Sequence, residues 1–300
     1  MKKSLLYTSI VFLLCLIFVA TQAQKTITIN LKVNEEQEAT VFQNEPVLFD
    51  IAVSNKRAEV NERWNKAADR RLDEMKELLK QGQIKQEDYD KEKTLIEKNK
   101  RSIDVTTLGS ETSSWASGIS WKIMNTANRN VVVLPIKLMK RPDPGGKAVL
   151  DADGYYMASF GIGPEELKSV APGTYAIEVS VNNLLSNAVV LKVENGMMSE
   201  TMANSEAMLL RLGIYYWHAE DAARTIQYAD KILAKKPTSL DGLSLKGDGQ
   251  VLQQSYLPAL ETYNKAVKEY YKQNGAGSEP PEYLLSMIGM VKEKLGDVRN

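Results

Sequence analysis

His218 is the only histidine in the chain, and histidine is the side chain best suited to moving protons near neutral pH. Catalysis there would need a nucleophile or a second polar group beside it. Its neighbours are Tyr215, Tyr216 and Trp217, no G-x-S-x-G elbow occurs, and the one cysteine, Cys15, lies in the N-terminal apolar stretch. A Ser–His or Cys–His arrangement lacks its parts, so His218 reads as a packing residue on an aromatic helical face. Gly161-Ile162-Gly163 suggests a phosphate loop, but Pro164 follows at once and no G-x-G-x-x-G or Gly-Lys-Ser/Thr pattern appears. It reads as a turn into 164–168. Asp151-x-Asp153-Gly154 alternates hard oxygen ligands before a glycine, as a calcium loop does. The third oxygen ligand and the distal glutamate are missing, and Asp-Gly is the usual hairpin turn pair. The acid pairs Glu35/Glu36 and Glu165/Glu166 occupy turn-like stretches with nothing to draw their pKa values apart. No catalytic residue, cofactor or metal ligand is expected, and the chain does not read as an enzyme.

Binding is the chemistry that remains, and residues 206–267 carry it. Leu209, Leu212, Gly213 and Tyr216 form one pattern closed by Pro237; Leu243, Gly247, Ala259, Tyr263 and Ala266 form a second. Gly213 and Gly247 are 34 residues apart, the period of a helix–turn–helix repeat whose glycine lets two helices approach closely. The stretch resembles the tetratricopeptide repeat (TPR): the first copy keeps L-G-x2-Y, the second G…A-x3-Y-x2-A. Leu285, Ile288 and Gly289 look like half of a third copy. The resemblance implies peptide binding on the face of the leading helices, at Leu210, Ile214 and Trp217, then Ser244, Asp248 and Val251, with Arg211 the nearby cation. The Lys/Asn set of carboxylate-clamping TPR proteins is not reproduced. Either these residues line an open groove, apolar and weakly acidic, or the linker or the preceding domain covers them. Two and a half repeats are also fewer than the three such arrays need. The array must lean on the preceding domain, on the linker with Met197, Met198 and Met202, or on another subunit.

The elements that deliver this region come earlier. Residues 1–23 read as a signal peptide, with Lys2 and Lys3, an apolar core from Ile10 to Ala20, and Thr21-Gln22-Ala23 as the cleavage site. Leu14 before Cys15 is not the small residue that lipidation needs. Cleavage after Ala23 leaves no cysteine, and so no disulfide or thiolate. It removes two of the 38 basic residues against 38 acidic ones, leaving a net charge of −2. No long-range field favours nucleic acid, and a membrane contact is expected only if the N-terminal segment stays uncleaved. An apolar content of 43% suffices for a sizeable core.

Residues 27–33 alternate Ile27, Ile29, Leu31 and Val33 with polar residues, as a half-buried strand does. Strand signals recur at 47–53, 119–123, 131–138, 155–160, 174–181 and 188–193, with turn clusters such as 141–146 between them. About seven short strands suggest a two-sheet sandwich. Tyr175, just after Pro172-Gly173, resembles the tyrosine corner of immunoglobulin-like sandwiches, which implies a hydroxyl bonded back to the preceding turn and Trp121 as the core tryptophan. Residues 56–101 interrupt this pattern with fourteen basic and eleven acidic residues. Val60, Trp64, Ala68, Leu72, Met75 and Leu79 make one narrow helical stripe, Gly82 supplies a left-handed stop, and a second helix turns Tyr89, Leu95 and Ile96 inward. The run from Leu78 to Ile96 resembles the short helical hairpin called SHOCT, with Lys85 in place of the usual Ser/Thr cap.

The expected architecture is therefore multidomain α and β. Residues 1–23 form a signal peptide, 24–55 and 102–196 an immunoglobulin-like β-sandwich, 56–101 an inserted helical hairpin, and 197–300 a TPR-like helical domain. The expected function is an exported, non-enzymatic interaction or scaffold protein, placed in the bacterial periplasm, at the cell surface or outside the cell. It would bind another protein or peptide through the groove. The hairpin is either a solvated insertion or an arm for docking or self-association through Trp64, Leu72, Met75 and Leu79. The alternative is a membrane-tethered structural or assembly component of the envelope.

Overall fold

The computed structural model describes residues 27–101, 105–143, 145–152 and 154–297. The signal-peptide expectation for 1–23, Cys15 included, and the Asp153 half of the acidic turn lie outside the described residues. The chain builds β-sheets first and a helical region after them, with one helical hairpin inserted between strands.

The first sheet orders β1 (Ile27–Val33), β3 (Val47–Asn55), β8 (Tyr155–Ile162) and β6 (Lys137–Leu138), every neighbour antiparallel. The second is centred on β9 (Gly173–Val181), which pairs antiparallel with β5 (Ser120–Asn125), β10 (Leu184–Leu185) and β11 (Val189–Glu194); β11 pairs parallel with β2 (Glu38–Phe42). A two-stranded ribbon of β4 (Thr106–Gly109) and β7 (Lys147–Leu150) completes the β region. Alternate residues of both large sheets enter one core: Ile29, Leu31, Phe49, Ile51, Ile162, Ile177, Val179 and Leu191 are all buried in it. Period-two patterning places them there, because successive side chains of a strand point to opposite faces.

Two sequence expectations change here. Residues 131–138 do not form a full strand: Lys137 and Leu138 pair with β8, Val131 makes an isolated bridge to Met124, and Val131 and Val133 are 74% and 94% exposed. Pro135 has no N–H to give a ladder, and it separates these two short pairings. Trp121 does pack edge-on between Phe49 and Phe160, at 5.4 and 5.2 Å between ring centroids, but it is only half-buried. The fully enclosed tryptophan is Trp115, on a 3-10 turn at Trp115–Gly118. Four strands went unread (β2, β4, β7 and β10), each short; β2 buries one residue, Val41.

Tyr175 donates its hydroxyl to the Ala171 carbonyl at 2.6 Å, closing the turn that opens β9. Tyr175→Phe keeps the ring and loses this bond. The expected cost is about 1 kcal/mol, seen as a lower urea midpoint at unchanged slope.

The hairpin comprises α1 (Lys56–Lys80) and α2 (Gln86–Asn99). Asn55 caps α1 by accepting the Ala58 N–H at 3.0 Å, and its amide donates to the Leu150 carbonyl, tying the arm to the β4–β7 ribbon. Gly82, at φ +70°, ends α1: its N–H reaches Leu79 O, and Gln83 N–H reaches Leu78 O. That is the Schellman pattern, open to a residue without Cβ strain. Lys85 makes no side-chain cap for α2. Asn65 and Arg101 exchange two hydrogen bonds at 3.0 Å and clamp the arm's base, with Arg101 over Trp64. Of the expected inward residues Met75 and Ile96 are buried, whereas Val60 and Leu95 are more than half exposed. Leu95 and Ile96 lie about 100° apart on a helix, so only one can face α1.

After a short α4 (Glu200–Ala203), five helices follow: α5 (Glu206–His218), α6 (Ala222–Lys235), α7 (Leu240–Leu252), α8 (Tyr256–Asn274) and α9 (Glu282–Asp297). Each packs on the next, and α5 also packs on α7. Ser205, Asp221 and Ser239 cap α5, α6 and α7 by accepting N–H groups three residues on.

A candidate protein-binding surface on the helical region

Helix α5 divides its sides between two neighbours. Leu209 points into the helical core with Ala229, Ile232 and Leu245, and Leu210 and Ile214 pack half-buried at the edge of that cluster. Met208 and Leu212 form a second cluster with Met198 of the linker and Phe42 of β2. Met198 is thus the linker methionine that anchors, whereas Met197 and Met202 stay exposed. Tyr215 lies over the end of β8: a Cβ on Gly161 would fall 2.9 Å from its ring and also 2.9 Å from Met139 Sδ. Gly161 therefore serves helix docking, and Gly163 leads into the four-residue α3 (Pro164–Leu167) as a turn. Burial, then the charge of Glu166, pushes the Tyr215 hydroxyl up to about 12, so it stays protonated.

Arg211 does not face an open groove. Its guanidinium donates to Glu45 at 2.9 Å, and Glu45 is only 3% exposed. Burial raises the Glu45 pKa; the Phe42 backbone N–H and the charge of Arg211 oppose that rise. α5 leans on the sheets through Phe42, Glu45 and Gly161.

Asp248 on α7 is buried, and Tyr263 of α8 and Tyr283 of α9 each donate a hydroxyl to its Oδ1 at 2.5 Å. Burial raises the carboxyl's pKa against both hydrogen bonds and the charge of Arg141. Desolvation, and then the Asp248 charge, push both tyrosines well above the ordinary tyrosine range. They remain donors at every physiological pH, so the group is a clasp between three helices rather than a proton relay. Val251, one turn on, is half-buried against Leu243, Ala259 and Tyr263. Ser244 is half-buried as well.

Trp217 and His218 end α5 and meet the loop after β6. The Lys140 and Arg141 amides both donate to the His218 carbonyl at 3.0 Å, and His218 Nδ1 donates to the Arg141 carbonyl at 2.6 Å. Arg141 lies over the Trp217 ring, 5.7 Å from its centroid, with Nε 3.3 Å from Glu220 Oε1. His218 is a docking residue, as its aromatic neighbours suggested. The structure thus brings Trp217 under the Arg141 cation, holds Arg211 elsewhere, and leaves Leu210 and Ile214 half-buried at the edge of one cluster and Val251 at the edge of another.

Sequence reasoning missed Arg141, Glu45, Glu220 and Tyr283. Arg141 sits in a Pro/Gly-rich cluster that reads correctly as a turn, and nothing local marks a contact 77 residues away. Glu45 belongs to a similar turn; the one available hint was its place just before Pro46 and a buried strand.

No protein-family model matches the chain, and no curated protein matches it. Among solved structures the chain is similar to a family 123 glycoside hydrolase from Clostridium perfringens described for glycolipid glycan hydrolysis. The two share 9% sequence identity at a TM-score of 0.25, over 62% of this chain and 32% of that one. The chain spans about a third of that enzyme's length, and so distant a likeness carries no argument about fold or activity.

Proposed function

We propose that this chain is an exported, non-enzymatic interaction protein: an immunoglobulin-like sandwich bearing a SHOCT-like arm, followed by a short TPR-like array that binds another polypeptide along α5 and α7. The observation that carries the reading is how α5 is used. Arg211, Met208, Leu212 and Tyr215 hold it to the sheets, while Leu210, Ile214 and Trp217 stay half-buried on another side. Gly213 and Gly247 support the array: added Cβ atoms would meet Leu245 at 2.2 Å and Tyr263 at 2.4 Å, so both mark close helix approaches. The Tyr175 bond and the single core shared by two sheets support the sandwich.

In native-envelope crosslinking, Leu210→Asp combined with Trp217→Asp is expected to cut recovery of the attached polypeptide at least about tenfold, the loss of a hot-spot pair. The variant should still melt cooperatively. Unchanged recovery would remove the groove from the proposal, and loss of cooperative melting would reassign both residues to the core.

A further inference from the structure

The segment Met139–Pro142 leaves the first sheet to reach the helices. The Met139 N–H donates to Ser159 O at 2.8 Å, and its side chain is buried near Gly161. The next two residues form the three hydrogen bonds to His218 described above. What the backbone bonds do not require is the place taken by the Arg141 side chain. Its guanidinium has Trp217 as one wall and Glu220 at the rim. Its charge acts on the buried carboxylate of Asp248, and Lys140 Nζ lies 3.9 Å from the second Glu220 oxygen. The negative end of the α5 dipole, the His218 carbonyl included, adds to the attraction for a cation. An aromatic wall, the Glu220 carboxylate and a helix C-terminus together make a guanidinium site, and the half-buried Leu210, Ile214 and Val251 lie on α5 and α7.

We propose that the mouth of the α5–α7 groove is a recognition site for an extended peptide presenting an arginine, and that the chain's own Lys140–Pro142 segment fills it and closes the groove. This rests on the groove reading above and names both its partner chemistry and its gate. Each contact is weak in isolation: cation–π pairing contributes about 0.5–2 kcal/mol and a half-exposed ion pair about 0–1 kcal/mol. The loop holds the site because attachment to the same chain gives it a high effective concentration. A partner displaces it only by adding apolar contacts along the groove, so the recognised segment carries apolar residues beside its arginine.

The test uses a fluorescent peptide copying residues 137–143, titrated into the full chain and followed by polarisation. Arg141→Ala is expected to bind it at least tenfold more tightly than the wild type does, and a peptide with alanine for its arginine should show no gain. Equal binding by wild type and variant, or an equal gain with the alanine peptide, would overturn the inference. Amide hydrogen exchange on the wild type covers the case in which Arg141→Ala fails to fold. The Lys140 and Arg141 amides should exchange at least tenfold more slowly than that of Asp143, and a lack of protection would overturn the gate. If Arg141→Ala shows no peptide gain while Leu210→Asp with Trp217→Asp still loses its partner, the arginine site falls and the groove reading stands.

Discussion

Gly247→Ala is expected to destabilise the protein by about 3 kcal/mol, the upper end of the usual overpacking range. Its added Cβ would lie 2.4 Å from Tyr263 Cε1 and 2.7 Å from Cζ. That ring has nowhere to go: Tyr263 is fully buried, and its hydroxyl is tied to Asp248 at 2.5 Å. Relief would require breaking the three-helix clasp, which would leave a buried carboxylate with one donor fewer. Gly213→Ala meets a different neighbour, the Cδ2 methyl of Leu245 at 2.2 Å, with the next Leu245 atom at 3.2 Å. A leucine can change rotamer, so about 1 kcal/mol is expected there. Gly289 has nothing within 4 Å of an added Cβ, so Gly289→Ala should stabilise α9 by up to about 1 kcal/mol through helix propensity. Urea denaturation of the three variants measures the series. If Gly289→Ala cost as much as Gly247→Ala, another surface would have to cover α9.

The same glycines show how much of the fold was legible. A 34-residue spacing and two half-patterns sufficed to place α5 to α8, because a close helix approach demands a residue without a side chain at one position. The third half-pattern located α9 but missed its facing. Leu284 and Val291 are buried there and Leu285 is 44% exposed, since α9 packs on α8, reaches α7 through Tyr283, and has no further helix over its other side among the described residues. In the sheets, strict alternation at 27–33 and 174–181 was readable because each strand has one face in the core. The short β4 and β7 were not, since a four-residue strand carries too few periods to stand out from a turn.

The candidate surface was half legible, for a physical reason. Leu210, Ile214, Trp217, Asp248 and Val251 follow from the resemblance to TPR helices once Gly213 and Gly247 are in phase. What occupies the mouth does not follow, because Arg141 arrives from a loop in the sheets and its partners are set by tertiary docking. Arg211 illustrates the limit. It lies on the same helix one residue from Leu210, about 100° around the axis, and that rotation turns it from the side of Leu210 to Glu45.

Arg211→Met is expected to cost about 2–3 kcal/mol, and most of that cost should vanish in acid. Breaking a wholly buried pair costs about 3–5 kcal/mol because one charge is left without compensation; here Glu45 is buried while the Arg211 side chain is 39% exposed, which lowers the figure. The argument predicts an asymmetry. Glu45→Gln leaves a neutral group opposite a cation that can still reach water, and should cost about 1 kcal/mol. Arg211→Met combined with Glu45→Leu should come back to within about 1 kcal/mol of wild type, since an apolar pair pays no desolvation. The pH dependence follows from the same burial. The folded-state pKa of Glu45 is raised above the ordinary glutamate value of 4.5 even with Arg211 present, and removing the arginine withdraws two influences that hold it down. A carboxyl with a raised folded pKa contributes its full stability below the unfolded value and loses it as pH rises through the folded value. Arg211→Met should therefore lie nearest to wild type below about pH 4.5 and furthest from it at neutral pH. Denaturant midpoints for the four proteins at pH 4 and pH 7.5 measure this. A deficit that did not change with pH would mean that Arg211 acts through packing of its stem, and that α5 is held to the sheets by Phe42, Met198 and Tyr215 without help from the ion pair.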